Sequence, residues 1–145
     1  MSALVNIIVV LPKTEEAVMV KNLLIRGGLR SITVCTTASA ALSRMDDLTD
    51  GIVICGYRLK DMPYSQLRDC LPPGFEMLLL ASRNVLAGIC EREMVVLPMP
   101  LKAADLVNTV SMISERIERK RRRARQQPKV RNEKERALIQ AAQEL

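Results

Sequence analysis

Apolar residues along this chain fall in short unbroken runs separated by mixed stretches. VNIIVVL (residues 5–11), SITVCT (31–36), IVIC (52–55), MLLLA (77–81) and MVVL (94–97) show little or no alternation of apolar and polar positions. Runs this short and this continuous read as strands covered on both faces, the kind that fill the middle of a parallel sheet. Helical patterns lie between them. After Pro12 stops the first run, Thr14 is a fair N-cap with Glu15 and Glu16 in the first turn, and Ala17, Val20 and Leu24 share one face. Gly27 and Gly28 then supply the residue type that a left-handed C-cap needs. Shorter helices are predicted over residues 38–48, 65–70 and 84–91, and Pro72, Pro73 and Gly74 make a firm break. Five strands alternating with five helical segments predict a parallel sheet with helices on both faces, joined by right-handed crossovers.

The last helix begins near Lys102. Leu106, Val110, Ile113 and Ile117 step by four, three and four, the seam of a coiled coil. A helix packed on a sheet also needs one buried face, so Leu106, Val110 and Ile113 read first as core, and Ile117 is the best candidate for a dimer contact. The apolar stripe fades where the basic run RKRRRAR (119–125) starts, and Pro128 is expected to end or kink the helix. A new helical pattern follows, with Val130, Ala137, Leu138, Ala141 and Leu145 on roughly one side.

Charge is distributed unevenly. Residues 1–114 hold eleven Lys/Arg and eleven Asp/Glu, whereas residues 115–136 hold eleven Lys/Arg against four Glu. The body is neutral and the tail carries the electrostatics. Arg119, Lys120, Arg121, Arg122, Arg123 and Arg125 could track a phosphate backbone, with binding that falls steeply with salt. The plainer alternative is a solvated helical linker.

Composition removes several chemistries. The chain has no histidine, which excludes histidine-based acid–base catalysis and histidine metal sites. Two tyrosines and one phenylalanine leave almost nothing for stacking on bases. The four cysteines, at 35, 55, 70 and 90, form no CxxC pair, and reduced thiols imply a reducing cytoplasm. Neither a signal peptide nor a membrane span is visible, because Pro12 and Lys13 interrupt the apolar N-terminal stretch. No glycine-rich phosphate loop, carboxylate pair or activated nucleophile is present, so an enzyme is not expected, and neither is a cofactor or a metal.

The order and spacing of these elements, the loop LKDMP (59–63) after the third strand and the PMP (98–100) before an amphipathic last helix resemble the receiver domain of bacterial response regulators. The resemblance implies a flavodoxin-like (βα)5 fold, strand order 2-1-3-4-5, with an extended C-terminal helix. It also implies a phosphorylation site, and there the sequence departs. The receiver's phosphoacceptor aspartate falls at Gly56, its Mg2+-binding acidic pair at Leu11 and Pro12, its Thr/Ser switch at Ala81 or, shifted by one, Ser82, and its lysine at Met99. No Asp or Glu lies in residues 1–14 or 51–60, so a register shift does not restore the site. A divalent cation needs several oxygen ligands, and phosphoryl transfer needs a nucleophile and charge neutralisation. The chain therefore resembles a pseudo-receiver. Asp61, beside Met62 and Pro63, reads as a turn former and not as a surrogate acceptor.

ERALIQAAQEL (135–145) is similar to the opening helix of an ANTAR domain, the RNA-binding module of transcription antiterminators, with Gln143 and Glu144 departing from the usual Lys-Gly. Together the two resemblances imply a pseudo-receiver over residues 1–114, a basic helical linker over 115–131 and the start of an incomplete ANTAR helix over 132–145. The implied function is phosphorylation-independent control of transcription antitermination in the cytoplasm. The implied partners are RNA, a second copy joined through Ile113, Ile117, Leu138 and Ala141, and a regulatory protein, with no membrane. The alternative is a protein–protein adaptor without nucleic-acid contact.

Overall fold

The computed structural model describes the backbone of residues 5–88 and 95–144, and the side chains of residues 5–88 and 95–124. Five strands, β1 (Ile7–Val10), β2 (Ile32–Cys35), β3 (Gly51–Gly56), β4 (Phe75–Ser82) and β5 (Val95–Met99), pair in parallel in the order β2-β1-β3-β4-β5. They alternate with α1 (Thr14–Arg26), α2 (Ala38–Met45), α3 (Tyr64–Cys70), α4 (Arg83–Leu86) and α5 (Ala103–Glu144). This is the flavodoxin-like receiver fold that the resemblance implied.

Side-chain parity along the strands divides the core in two. Ile7, Val9, Ile52, Ile54, Leu78 and Leu80 face α1 and α5, while Ile8, Val10, Val53, Cys55, Met77 and Leu79 face α2 and α3. Every residue of β3 is buried. A strand at the centre of the sheet, covered on both sides, admits no polar position along its length.

α1 stops at Arg26 through a Schellman arrangement: Gly28, at φ 88°, donates to the Ile25 carbonyl and Leu29 to the Leu24 carbonyl, both at 3.0 Å. Gly27 is needed for a different reason. A Cβ there would lie 2.5 Å from Cγ2 of Val107, so the end of α1 meets α5 at backbone distance. At its other end α1 differs from expectation. Thr14 is the first helical residue, and the cap position is Lys13, which makes no side-chain cap bond.

Four other elements depart from the sequence reading. β4 starts at Phe75, directly after the Pro72-Pro73-Gly74 break. α4 is a single turn ending at Leu86. Pro98 lies inside β5 opposite Ala81, tolerated because β5 is an edge strand with one side free of ladder bonds. Pro128 does not end α5, which continues to Glu144.

α5 accounts for the apolar seam. Leu106, Val110 and Ile113 are 0% exposed and Ile117 is 2% exposed, all within the cluster built on α1 and the sheet. The expectation of a dimer contact at Ile113 and Ile117 is corrected here: the sheet and α1 already cover both side chains. Leu138 and Ala141 lie outside the described side chains. Two ion pairs hold the next turns of the helix. Arg116 donates from Nε to Glu76 Oε2 at 3.2 Å and from Nη2 to Oε1 at 2.7 Å. Arg121 donates from Nε to Asp50 Oδ2 at 2.6 Å and from Nη2 to Oδ1.

Candidate functional site

An open parallel sheet builds its site beyond the C-terminal ends of its strands, and a cleft of about 200 Å³ opens there. β1 contributes Leu11 and Pro12 from just past its end, β3 contributes Gly56, and β5 contributes Met99. Four of the five positions to which the resemblance assigned a receiver's phosphorylation machinery are therefore brought together. Ala81, the fifth, does not line the cleft, and Leu80 does so in its place. Ser82, one residue on, caps α4 by accepting from the Val85 amide at 3.4 Å.

Gly56 aims at this cleft. A Cβ built on it would lie 3.2 Å from Leu11 Cδ2, the movable end of a side chain. A carboxylate placed at position 56 would therefore enter a space walled by alkyl, pyrrolidine and thioether groups. Among the described residues no group of three or more His, Cys, Asp or Glu is positioned to hold a metal ion.

Residues that the sequence reading did not assign to the site complete it. Glu16, Met19 and Val20 enter from the first turns of α1, and Tyr57 and Arg58 from the loop after β3. The signal for Glu16 was available, since the first helical turn after β1 always overhangs this edge in such a sheet.

The loop after β3 is tightly held. Leu59 donates to the Met62 carbonyl at 3.1 Å and Tyr64 to the Tyr57 carbonyl at 3.2 Å, closing an antiparallel corner in which Arg58 bridges Pro63. The Tyr57 and Tyr64 rings pack with centroids 5.3 Å apart, tilted by 35°. Asp61 then ties the corner to the start of α2. Its Oδ1 accepts from the Ala38 amide at 2.9 Å, and its Oδ2 accepts from the Ser39 amide at 2.9 Å and the Ser39 hydroxyl at 2.7 Å. These bonds, led by the one from Ala38, lower the Asp61 carboxyl pKa to about 2. Asp61 thus does more than form a turn.

The basic cluster is not uniform. Arg119, Lys120, Arg122 and Arg123 are exposed on α5, whereas Arg121 turns inward to Asp50. The side-chain hydrogen bonding that Arg121 donates to Asp50 raises the Arg121 pKa. Arg125 lies outside the described side chains. Of the cysteines described, Cys35 and Cys55 are buried and Cys70 is exposed, all as free thiols. Burial pushes the Cys55 thiol up to about 12, and desolvation also raises Cys35, opposed in part by Arg44.

No protein-family model matches this chain, and no curated protein matches it. Solved structures do. The signal receiver domain of an HD domain-containing protein from Pseudomonas fluorescens Pf-5 superposes with a TM-score of 0.71 at 18% identity, covering 85% of this chain and 96% of that one. A CheY-like response regulator receiver domain protein from Methanospirillum hungatei JF-1 gives 0.64 at 16% identity, over 79% and 97%. The beryllofluoride-activated NtrC4 receiver domain, solved as a dimer, gives 0.65 at 12% identity, over 77% and 98%. The structural neighbours are receiver domains, and at these identities the likeness defines the fold. No helix among the described residues is long and apolar enough to cross a membrane.

Proposed function

We propose that this chain is a phosphorylation-independent, response-regulator-like signalling protein that controls transcription antitermination through an RNA-binding ANTAR output module. The supporting observation is the cleft at the end of β3. It lies at the C-terminal edge of the sheet, where the receiver resemblance puts the phosphorylation site, and Leu11, Pro12, Gly56 and Met99 line it without an oxygen ligand or nucleophile among them. Residues 1–114 act as the pseudo-receiver, residues 115–131 as the basic linker and residues 132–145 as the first ANTAR helix. The chain works by binding and not by catalysis, in the cytoplasm. With Ile113 and Ile117 in the core, a homodimer seam falls further along α5, at Leu138 and Ala141, and a regulatory protein replaces phosphate as the input.

The test is titration of the native-length protein against an RNA bearing paired small hairpin loops, at two salt concentrations. Affinity that drops steeply with salt supports the antiterminator, since each phosphate contact releases counterions. The adaptor reading gains from one observation, the engagement of Arg121 with Asp50, which removes a cation from the candidate RNA contacts. Absence of salt-sensitive RNA binding would establish that reading instead.

A further inference from the structure

We infer that the cleft at the C-terminal edge of the sheet is a binding site for a small organic monocarboxylate, with the apolar body among Leu11, Val20, Leu80 and Met99 and the carboxylate on Arg58. The inference rests on the reading of this edge as a signalling site that takes no phosphoryl group.

Shape comes first. The cleft exists because position 56 is a glycine: any side chain there would project toward Leu11 and into the space. At about 200 Å³ it is smaller than the pockets of roughly 300–1,000 Å³ that hold drug-sized ligands, so its occupant is small. Its deep walls are aliphatic and thioether groups, which favour a hydrocarbon or aromatic body over a hydrated ion.

The mouth selects the head group. Arg58 is a permanent cation and makes no ion pair or side-chain hydrogen bond among the described residues. A guanidinium fork matches the two oxygens of a carboxylate. Glu16, also at the cleft, sets the charge limit. One anionic charge is balanced by Arg58, while the second charge of a phosphate would face the Glu16 carboxylate without a second cation, since among the described residues no lysine or further arginine lines the cleft.

The site is also preformed. Arg58 and Tyr57 sit on the corner closed by the Leu59–Met62 and Tyr64–Tyr57 backbone bonds and tethered to α2 through Asp61. Little ordering of the loop is needed on binding, which preserves affinity for a ligand that offers few contacts.

Amide NMR of this chain titrated with benzoate and hexanoate tests the proposal, with benzamide and inorganic phosphate as comparison arms. The expected result is saturable movement of the Gly56, Tyr57 and Val20 resonances at millimolar acid, with both comparison arms at least about tenfold weaker, or about 1.4 kcal/mol. Arg58→Gln should weaken benzoate about tenfold, and Arg58→Lys should recover part of that loss. Gly56→Leu should fill the cleft and abolish binding. Met19→Trp, at an exposed rim position outside the core, should narrow the mouth with the fold intact and weaken binding in the same direction. The proposal is overturned if the three resonances do not saturate, if benzamide or phosphate binds as tightly as benzoate, or if Arg58→Gln leaves the affinity unchanged. No RNA or phosphodonor is present, so this outcome is independent of whether the antiterminator reading holds.

Discussion

Arg121 and Asp50, 71 residues apart in sequence, form a two-pronged ion pair that fastens α5 to the residue immediately before β3. Both side chains are largely covered, at 21% and 13% exposure. The basic cluster of α5 therefore divides into one arginine with a structural task and neighbours that face solvent.

That division predicts different outcomes for adjacent arginines. Arg122→Gln should lower the salt slope of RNA binding by about 0.7 for a contacted phosphate. Arg121→Gln should leave the slope unchanged and cost about 1 kcal/mol of stability, recovered in an Asp50→Asn background as a coupling energy. Salt-dependent binding and denaturant titrations of the wild type, the three single variants and the Arg121→Gln/Asp50→Asn double variant check both statements.

Ile117 offers a second contrast. A buried isoleucine truncated to alanine typically costs about 2–5 kcal/mol, so Ile117→Ala should lower the denaturation midpoint substantially while leaving the oligomeric state of the folded protein unchanged. A dimer-contact residue would show the reverse pattern, with a change in association seen by analytical ultracentrifugation and little loss of stability.

The Asp61 tether should be visible in acid. Its folded pKa, about 2, lies below its ordinary value of 3.8, so its contribution is complete above about pH 5 and is lost as pH falls through that interval toward 2. Asp61→Asn should be less stable than the wild type at neutral pH, and the difference should narrow steadily on acidification. Thermal melts at stepped pH values check this.

The sheet was legible because each strand is a continuous apolar run, and in a parallel sheet nothing else dictates strand identity so strongly. Its boundaries were less so. β4 begins two residues before the run MLLLA, at Phe75 and Glu76, because Glu76 is satisfied by Arg116 from a helix 40 residues away, and no local pattern carries that pairing. That Leu11, Pro12 and Gly56 are not acidic could be read directly, since absence of a residue type needs no geometry. The Ala81 position could not, because which of two successive β4 side chains reaches the cleft depends on sheet parity at the strand's end. The seam through Ile113 and Ile117 has the period of a coiled coil as well as that of a sheet-packed helix, and the fold puts both residues in the core. Asp61 was recognisable as a loop residue, but its partners Ala38 and Ser39 meet it across the sheet's edge.

The central claim is that the cleft beside Gly56 takes no phosphoryl group, and intact-mass spectrometry after incubation with acetyl phosphate and Mg2+ tests it most directly. Gly56→Asp should serve as a second sample: its new Cβ meets the flexible end of Leu11 most closely, with the Arg58 carbonyl at ordinary contact distance, and Leu11 and Pro12 still supply no side-chain oxygen for the metal. The account predicts an unchanged mass for both proteins. A stoichiometric phosphoryl adduct on the wild-type chain would contradict it.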